Sequence, residues 1–324
     1  MNISSVSTNN FYKLDFNNNQ KFVLLNRQNN TDCFVKSNNI SFCARTEKEQ
    51  RRQRVDAFTK DLAKKVNSPN FSISDVSASI RKHIKNVNVK PMSQAPKSLL
   101  FSNTLQGLYS AEMNYNGASN RFFYPQNKRN FYVRTETFKK PYGKLEVFTN
   151  AVHEYTHALQ IEDEDANPVG IFNRYIEQNK DDIGSAMKQI EITTSAINQV
   201  EEAIARPLIS ILIENENLSY DRLQRGQTDF VSWLCRKNKT EDFSSYVQEK
   251  VSAVIGNIEQ DFSVDKILLY DTTINHFERE IEAYSNENNA HQMVLGIGNT
   301  RAMSRVQIYQ KSIDVLKQMK KEIE

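Results

Sequence analysis

Two histidines and a glutamate near the middle of the chain have types and spacing suited to metal-assisted hydrolysis. They form the pattern HExxH, with His153 and His157 four residues apart and Glu154 beside the first histidine. On a helix such histidines lie about one turn apart on one face, so both imidazole rings can reach the same metal ion. Glu154 lies roughly 100° further round, where it can act on a water molecule at the ion's open position. The pattern predicts hydroxide generation at neutral pH.

The surroundings of the motif favour a helix. The chain contains only 5 histidines among 324 residues, so a chance HExxH is expected in on the order of one in two hundred such sequences. The competing interpretation is an ordinary amphipathic helix with two histidines on its solvated face. Apolar residues at helical spacing accompany the motif, namely Phe148, Ala151, Val152, Tyr155, Ala158 and Leu159.

Glu280 is the favoured third ligand, because a catalytic zinc ion usually has three protein ligands and HExxH provides two. It lies in a predicted helix, with His276 one turn before it and Tyr284 one turn after it. Ala283 is small, which suits the close approach of a second helix. The competing interpretation of this segment is a charged, solvated helix face.

Two other acidic positions stay open for the third ligand. Glu177 follows the motif, and Asp181 has a spacing at which it can accept a hydrogen bond from a ligand histidine. The segment around both is uniformly polar, which is typical of a surface loop. Glu164 and Asp165 belong to an acidic run just after the motif. They lie too far along a continuous helix to share an ion with His157, so they qualify only if the chain turns back at once.

Composition excludes several classes of partner. The 42 Lys+Arg and 39 Asp+Glu residues leave a formal net charge of +3, which is too mild to predict nucleic-acid binding. No apolar run is long enough to span a bilayer, so no membrane partner is expected. The cysteines Cys33, Cys43 and Cys235 lack CxxC spacing and indicate neither a disulfide framework nor a thiolate metal site. We expect a protein or peptide substrate; the oligomeric state stays open.

The first part of the chain differs in texture from the rest. Residues 1–47 are rich in Asn and Ser and are predicted to be a disordered leader, a candidate secretion signal without the pattern of a Sec signal peptide. Residues 48–324 are predicted to form the catalytic domain. Apolar spacing predicts helices to about residue 67, over 74–87 and over 99–113.

Strands are predicted directly before the motif. Aromatic and β-branched residues in 121–125 and 130–138 predict a small β-hairpin or meander, and thus a small sheet. In a peptidase an edge strand there would hold an extended substrate by main-chain hydrogen bonds, and a plain structural hairpin is the alternative. After Gly170 the periodicity is helical throughout, with Pro207 expected to kink or split one helix. The predicted class is α+β, mainly helical, with a C-terminal helical bundle.

The motif and the Glu280 segment resemble a known family. The residues from His153 to Gln160 resemble the active-site helix of the zincin metallopeptidases, and Glu280 to Tyr284 resemble the second-helix glutamate of their gluzincin branch. This resemblance implies a zincin-like core and a Zn²⁺ cofactor. It implies that both histidines of the motif and Glu280 are the ligands, with the motif glutamate as general base.

The same resemblance implies a Tyr or His that stabilises the tetrahedral oxyanion. Two candidates share the phase of Glu280 along its helix and are therefore favoured over the others. The candidates are Tyr270, His276, Tyr284 and His291, of which His276 and Tyr284 are the favoured pair.

The Ser/Asn-rich leader and the chain size resemble bacterial effector metalloproteases injected into host cells. Some of these take an acidic third ligand shortly after HExxH, which keeps Glu164 and Asp165 open. The resemblance implies secretion without a Sec signal into a host cytosol; otherwise the cytoplasm is expected. The predicted function is zinc-dependent endopeptidase cleavage of a protein, in the effector case a host protein and a role in virulence. The alternative is a non-enzymatic helical interaction module with an incidental HExxH. A third possibility is a zincin fold that hydrolyses a bond other than a peptide bond.

Overall fold

The computed structural model of this chain describes residues 47–96, 107–125, 129–140, 142–163, 166–214, 230–239 and 242–324. Within them the architecture is mainly helical with little sheet, which confirms the coarse α+β prediction. None of the described helices is both long and apolar enough to cross a membrane. The longer helices are α1 (Glu47–Val66), α2 (Ile73–His83), α3 (Gly143–Gln160), α4 (Pro168–Gln178), α5 (Ile183–Glu214), α6 (Phe230–Lys237), α7 (Phe243–Ile258), α8 (Lys266–Leu295) and α9 (Thr300–Lys321). The strands are β1 (Asn88–Pro91), β2 (Gly107–Ala111), β3 (Asn114–Asn116), β4 (Arg121–Phe123) and β5 (Arg129–Val133).

The strands form two small sheets. In the larger one β5 is central, with β1 parallel on one side and β2 antiparallel on the other. The smaller one pairs β3 with β4. The predicted hairpin between 121–125 and 130–138 is therefore wrong, because its two strands belong to different sheets. Alternating polar and aromatic residues show that a strand has a buried face, but they do not identify its neighbour.

The predicted substrate strand at 130–138 is also wrong. Its strand part, β5, has neighbours on both sides and offers no free edge, and Thr135–Lys139 is a short 3₁₀ turn. Phe131, Tyr132 and Val133 are all buried, as expected of a central strand. Within the described sheet, β2 is an edge strand that lies against α3.

The helix predicted over 99–113 is wrong for residues 107–113, the part of it that the structure describes. Residues 107–111 form β2, while 97–106 lie outside the described residues. A short apolar run does not distinguish a buried helix from a strand, and pairing with β5 decides the outcome here. The predicted leader likewise lies outside the described residues, except for Glu47, which begins α1.

The hydrophobic residues gather into two large cores. The first joins α1, α2, the larger sheet and α3, with Phe58 stacked on Tyr155 at 4.0 Å between ring centres. The second joins α5 to α9, which confirms the predicted C-terminal bundle. Pro207 lies inside α5, which continues through it and is not split.

Helix α8 contributes to both cores. Ala290 and Val294 pack in the first, whereas Leu269 and Phe277 pack in the second. The helix begins where the Asp265 side chain accepts a hydrogen bond from the Leu268 N–H. Its position between the two cores fixes the residues in its middle turns against α3.

Candidate metal centre

The HExxH motif lies on helix α3, as predicted. His153 and Glu154 are 6% and 7% exposed, and the His157 side chain is 12% exposed. Buried polar groups of this kind need partners, because their desolvation is costly. The helix is held between α1 and α8, so the motif faces protein rather than open solvent.

Three side chains converge in front of this helix. The Nε2 atoms of His153 and His157 are 3.1 Å apart. Glu280 on α8 places Oε1 at 3.2 Å from His157 Nε2 and its other oxygen, Oε2, at 3.6 Å from His153 Nε2. Two ligand atoms bound tetrahedrally at about 2.05 Å from zinc lie about 3.3 Å apart. These nearest-atom separations lie close to that value, so this group could hold a metal ion.

The other nitrogen of each imidazole faces an oxygen atom. His157 Nδ1 lies 2.9 Å from Gln160 Oε1, and the Gln160 amide donates to the Arg279 carbonyl at 3.1 Å. His153 Nδ1 lies 3.2 Å from Glu287 Oε2, close enough for charge pairing although not aligned as a hydrogen bond. An oxygen at Nδ1 favours a proton there and leaves the Nε2 lone pair free for a metal.

The electrostatics of this pocket favour positive charge. Burial lowers the pKa of His153, but the carboxylates of Glu287, Glu280 and Glu154 outweigh it and raise that pKa to about 9. Burial alone would raise the pKa of Glu280, and the two motif histidines lower it well below its ordinary value instead. A divalent cation would meet the same favourable field.

Glu154 is held by the edge strand. Its Oε2 accepts a hydrogen bond from the Tyr109 N–H of β2 at 2.6 Å. A Cβ added at Gly107 would lie 1.9 Å from Asn150 Oδ1, so glycine lets β2 lie this close to α3. Two residues of a strand span about the same length as four residues of a helix. Gly107 therefore lies beside Asn150, and Tyr109 lies beside Glu154.

The alternative third ligands either lie away from the two motif histidines or fall outside the described residues. Glu177 is exposed on α4, and among the described residues His153, His157 and Glu280 form the one group that meets the geometry of a metal site. Glu164 and Asp165 lie outside the described residues.

The neighbouring acids of the run after the motif have structural partners. Glu162 pairs with Arg54 at 2.6 Å and with Arg129 at 3.4 Å. Asp163 pairs with Arg51, which also contacts Glu282 on α8 at 3.0 Å. These ion pairs attach the end of α3 to α1 and, through Arg51, to α8. Arg51 is buried and Asp163 half-buried, whereas Arg54 and Glu162 are exposed.

One oxyanion candidate adjoins the metal group. The Tyr284 ring packs edge-on against the His153 ring at 4.4 Å between centres. His276 instead pairs with Glu201 at 2.9 Å, and His291 Nδ1 faces the Ile297 carbonyl at 2.8 Å. The fourth candidate, Tyr270, is buried in the bundle core.

Sequence reasoning missed four contributors to this centre. Gln160 follows His157 by one helical turn, and Glu287 follows Glu280 by two, so their spacing could have indicated both. The Tyr109 amide and the Gly107 approach depend on a strand that was predicted as helix.

The assembled groups can bind a divalent cation, position water and transfer a proton. No protein-family model matches the chain, and neither a curated protein nor a solved structure matches it.

Proposed function

We propose that the protein is a zinc-dependent endopeptidase of the gluzincin type. The observation that supports this most is the convergence of His153, His157 and Glu280, whose nearest nitrogen and oxygen atoms lie 3.1, 3.2 and 3.6 Å apart, close to the spacing of ligands around one tetrahedral ion. Two imidazoles and one carboxylate are a typical donor set for catalytic zinc, which keeps its fourth position for substrate or water.

Zinc bound there would supply Lewis acidity, which makes water a nucleophile near neutral pH and polarises a carbonyl. Glu154 takes the proton from the attacking water and passes it to the leaving amine. The Tyr109 N–H fixes its carboxylate beside the metal group before substrate arrives. Tyr284, packed on His153, donates its phenolic proton in a hydrogen bond to the oxyanion.

The proposed substrate is an extended protein segment alongside β2. An edge strand binds an extended peptide through main-chain hydrogen bonds, and β2 is the strand that touches Glu154. A segment there would present its carbonyl groups to the base and the metal group together. Main-chain pairing does not depend on the side chains of the substrate. Any preference for particular substrate sequences must therefore come from side chains near β2 and the metal group.

The first experiment measures metal content and cleavage together. We expect purified protein to contain about one zinc per chain, and to cleave unfolded casein in a reaction that a chelator stops and zinc restores. Glu154→Gln should keep the zinc and lose at least about a thousandfold in cleavage rate, because the proton acceptor is gone. A Glu154→Gln protein with normal activity would refute the mechanism.

A pair of variants on α8 tests the third ligand. Glu280→Gln removes the carboxylate that faces both histidines, and the expected result is loss of stoichiometric zinc. Glu278→Gln is the matched control, because Glu278 is exposed on the same helix. A folded, metal-free wild-type chain would instead support the non-enzymatic interaction module, for which the bundle of α5 to α9 would be the binding surface.

Delivery into a host cell is a separate proposal. It depends on the Asn/Ser-rich composition of residues 1–47 and on the effector resemblance. A reporter fused to residues 1–47 should leave bacterial cells through a dedicated secretion system, whereas the same reporter fused to residues 48–90 should stay inside. Retention of the first fusion would refute the role of residues 1–47 as a secretion signal.

A further inference from the structure

A line of polar and charged side chains crosses the bundle and ends near the metal group. Glu201 on α5 lies 2.9 Å from His276 Nε2 on α8. Its other oxygen accepts a hydrogen bond from the Tyr309 hydroxyl on α9 at 2.5 Å, and Arg305 donates to that hydroxyl at 3.0 Å. We refer to Glu201, His276, Tyr309 and Arg305 as the bracing network.

The network reaches the metal ligands through Tyr284. The Arg305 guanidinium lies over the Tyr284 ring at 5.2 Å from its centre, a distance typical of a cation–π contact. Tyr284 also packs against the ring of His153 at 4.4 Å and against that of Tyr309 at 6.2 Å between ring centres. Tyr284 therefore contacts both a cation of the bundle and a predicted zinc ligand of α3.

Most of the bracing network is shielded from water: the side chains of His276, Glu201 and Arg305 are 18%, 21% and 22% exposed, and Tyr309 is fully buried. Shielding polar and charged groups to this degree has a cost, so packing alone does not explain the network. Its surroundings are apolar, with Phe277 stacked on Tyr309 at 4.8 Å and both side chains fully buried. Replacing buried ion pairs with apolar residues of similar size is often neutral or stabilising. Fully paired polar groups do fix one arrangement of neighbouring helices, since each group has few alternatives.

We infer that Glu201, Tyr309 and Arg305 are positioning residues that set the place of Tyr284 beside the metal group. This inference rests on the proposed function, because it assigns Tyr284 to the oxyanion. It gives the bundle a part in the reaction: α5 and α9 hold the face of α8 that carries both Glu280 and Tyr284. The Arg305 contact sets the ring plane of Tyr284. Arg305 is held in turn by the Tyr309 hydroxyl at 3.0 Å and by Glu201 Oε1 at 3.9 Å.

The test compares two buried tyrosines of the same bundle. Tyr309→Phe removes the hydroxyl that links Arg305 to Glu201. Tyr246→Phe is the matched control, because that hydroxyl is equally buried and donates to the backbone carbonyls of Ala203 and Ile204, away from Tyr284. We expect Tyr309→Phe to lower kcat about tenfold with KM and zinc content unchanged. Tyr246→Phe should leave kcat within about twofold.

A double variant separates positioning from a general loss of stability. In a Tyr284→Phe background the group to be positioned is absent, so Tyr309→Phe should cause no further loss of kcat. A crystal structure of the Tyr309→Phe variant tests the inference without an activity assay. In that structure the Tyr284 ring should have moved from its position against His153. The same structure of Tyr246→Phe should show that ring unmoved.

The outcomes distinguish this inference from the proposed function. If wild-type protein cleaves casein with zinc but Tyr309→Phe keeps full kcat, or if Tyr246→Phe loses as much, the positioning role is refuted and the peptidase proposal stands. If wild-type protein shows no metal-dependent cleavage, the proposed function fails. The crystal structures then decide whether the network holds Tyr284 at all.

Discussion

The two cores of the molecule contribute to the candidate centre in different ways. The core of α1 to α3 contributes residues that are neighbours in the sequence, with His153, Glu154 and His157 on one helix. The bundle contributes residues from three helices that are far apart in the chain, including Glu201, Glu280 and Arg305. Two proposed ligands and the proposed base thus come from one helical motif, whereas Glu280 and the side chains around it in the bundle are brought to the centre by long-range packing.

This difference determines which residues of the centre can be predicted from the sequence. A motif on one helix has a fixed spacing, because the helix repeat places both histidines on the same face. The bracing network has no such spacing, because each of its contacts depends on how helices meet. Variants of the two kinds of residue should therefore fail differently: loss of a motif histidine or of Glu280 should remove the metal, whereas loss of a bracing-network contact should leave the metal bound and disturb the orientation of Tyr284.

The largest effect is expected from the motif itself. His157→Ala removes one of three converging donor atoms, and we expect zinc affinity to fall by at least about a thousandfold. His83→Ala is a suitable control, because His83 lies in the same core but contacts Phe58 and Asp61 instead. Zinc titration followed by elemental analysis measures the difference. Equal zinc content in both variants would remove His157 from the ligand set.

Much of the centre could be predicted from the sequence. The helix of the motif follows from apolar spacing, and Glu280 follows from a second helix with Ala283 at the crossing, which is fully buried. The coarse class and the C-terminal bundle follow from periodicity that persists over long segments. Long periodic elements carry enough repeated signal to override local exceptions such as Pro207.

The rest could not be predicted, for identifiable physical reasons. Residues 107–111 form a strand because β5 pairs with them, and a five-residue run does not carry that information. The hydrogen bond from Tyr109 to Glu154 then follows from the strand and is equally hidden. Glu201 has the pattern of an exposed acid on α5, and its pairing with His276 depends on the tertiary crossing.

The next effect concerns pH, and each core has one histidine with a raised pKa. The pKa of His153 is raised from 6.5 to about 9 in the folded chain. Its contribution to the stability of metal-free protein is therefore fully present below pH 6.5 and is lost as the pH rises to about 9. The expected loss in unfolding free energy is on the order of 3 kcal/mol.

Zinc should distinguish the contributions of His153 and His276 to the pH dependence of the unfolding free energy. His276, in the bundle, also has a raised pKa, because the Glu201 carboxylate outweighs the effect of its burial. Bound zinc requires neutral His153, so it should abolish that residue's share of the pH dependence and leave the share of His276. Urea unfolding from pH 6 to 9, with and without zinc, provides the measurement. An unchanged slope with zinc would contradict the assignment of His153 as a ligand.

A smaller effect is expected at the residues that orient the ligands. Glu287→Gln keeps the size of the side chain but removes the charge beside His153 Nδ1. We expect zinc affinity to fall about 10- to 100-fold, as is usual when such a partner is lost. Glu278→Gln again serves as the exposed control on α8, and its zinc affinity should match the wild type. Competition with a chromogenic chelator measures both constants, and a Glu287→Gln protein with wild-type affinity would leave His153 oriented by other groups.

The smallest effect is expected where the edge strand meets α3. Gly107→Ala places a methyl group against Asn150 Oδ1, so β2 must shift or the Asn150 side chain must turn away. A shift moves the Tyr109 amide from Glu154, and we expect kcat/KM to fall about tenfold with zinc retained. Gly117→Ala is the matched control, because a Cβ there meets no atom within 4 Å. Adding Asn150→Ala to Gly107→Ala removes the atoms closest to the new methyl group and should restore most of the activity. If activity is not restored, the close approach of β2 to α3 does not position Glu154. The proposed role of β2 in binding substrate then requires separate evidence.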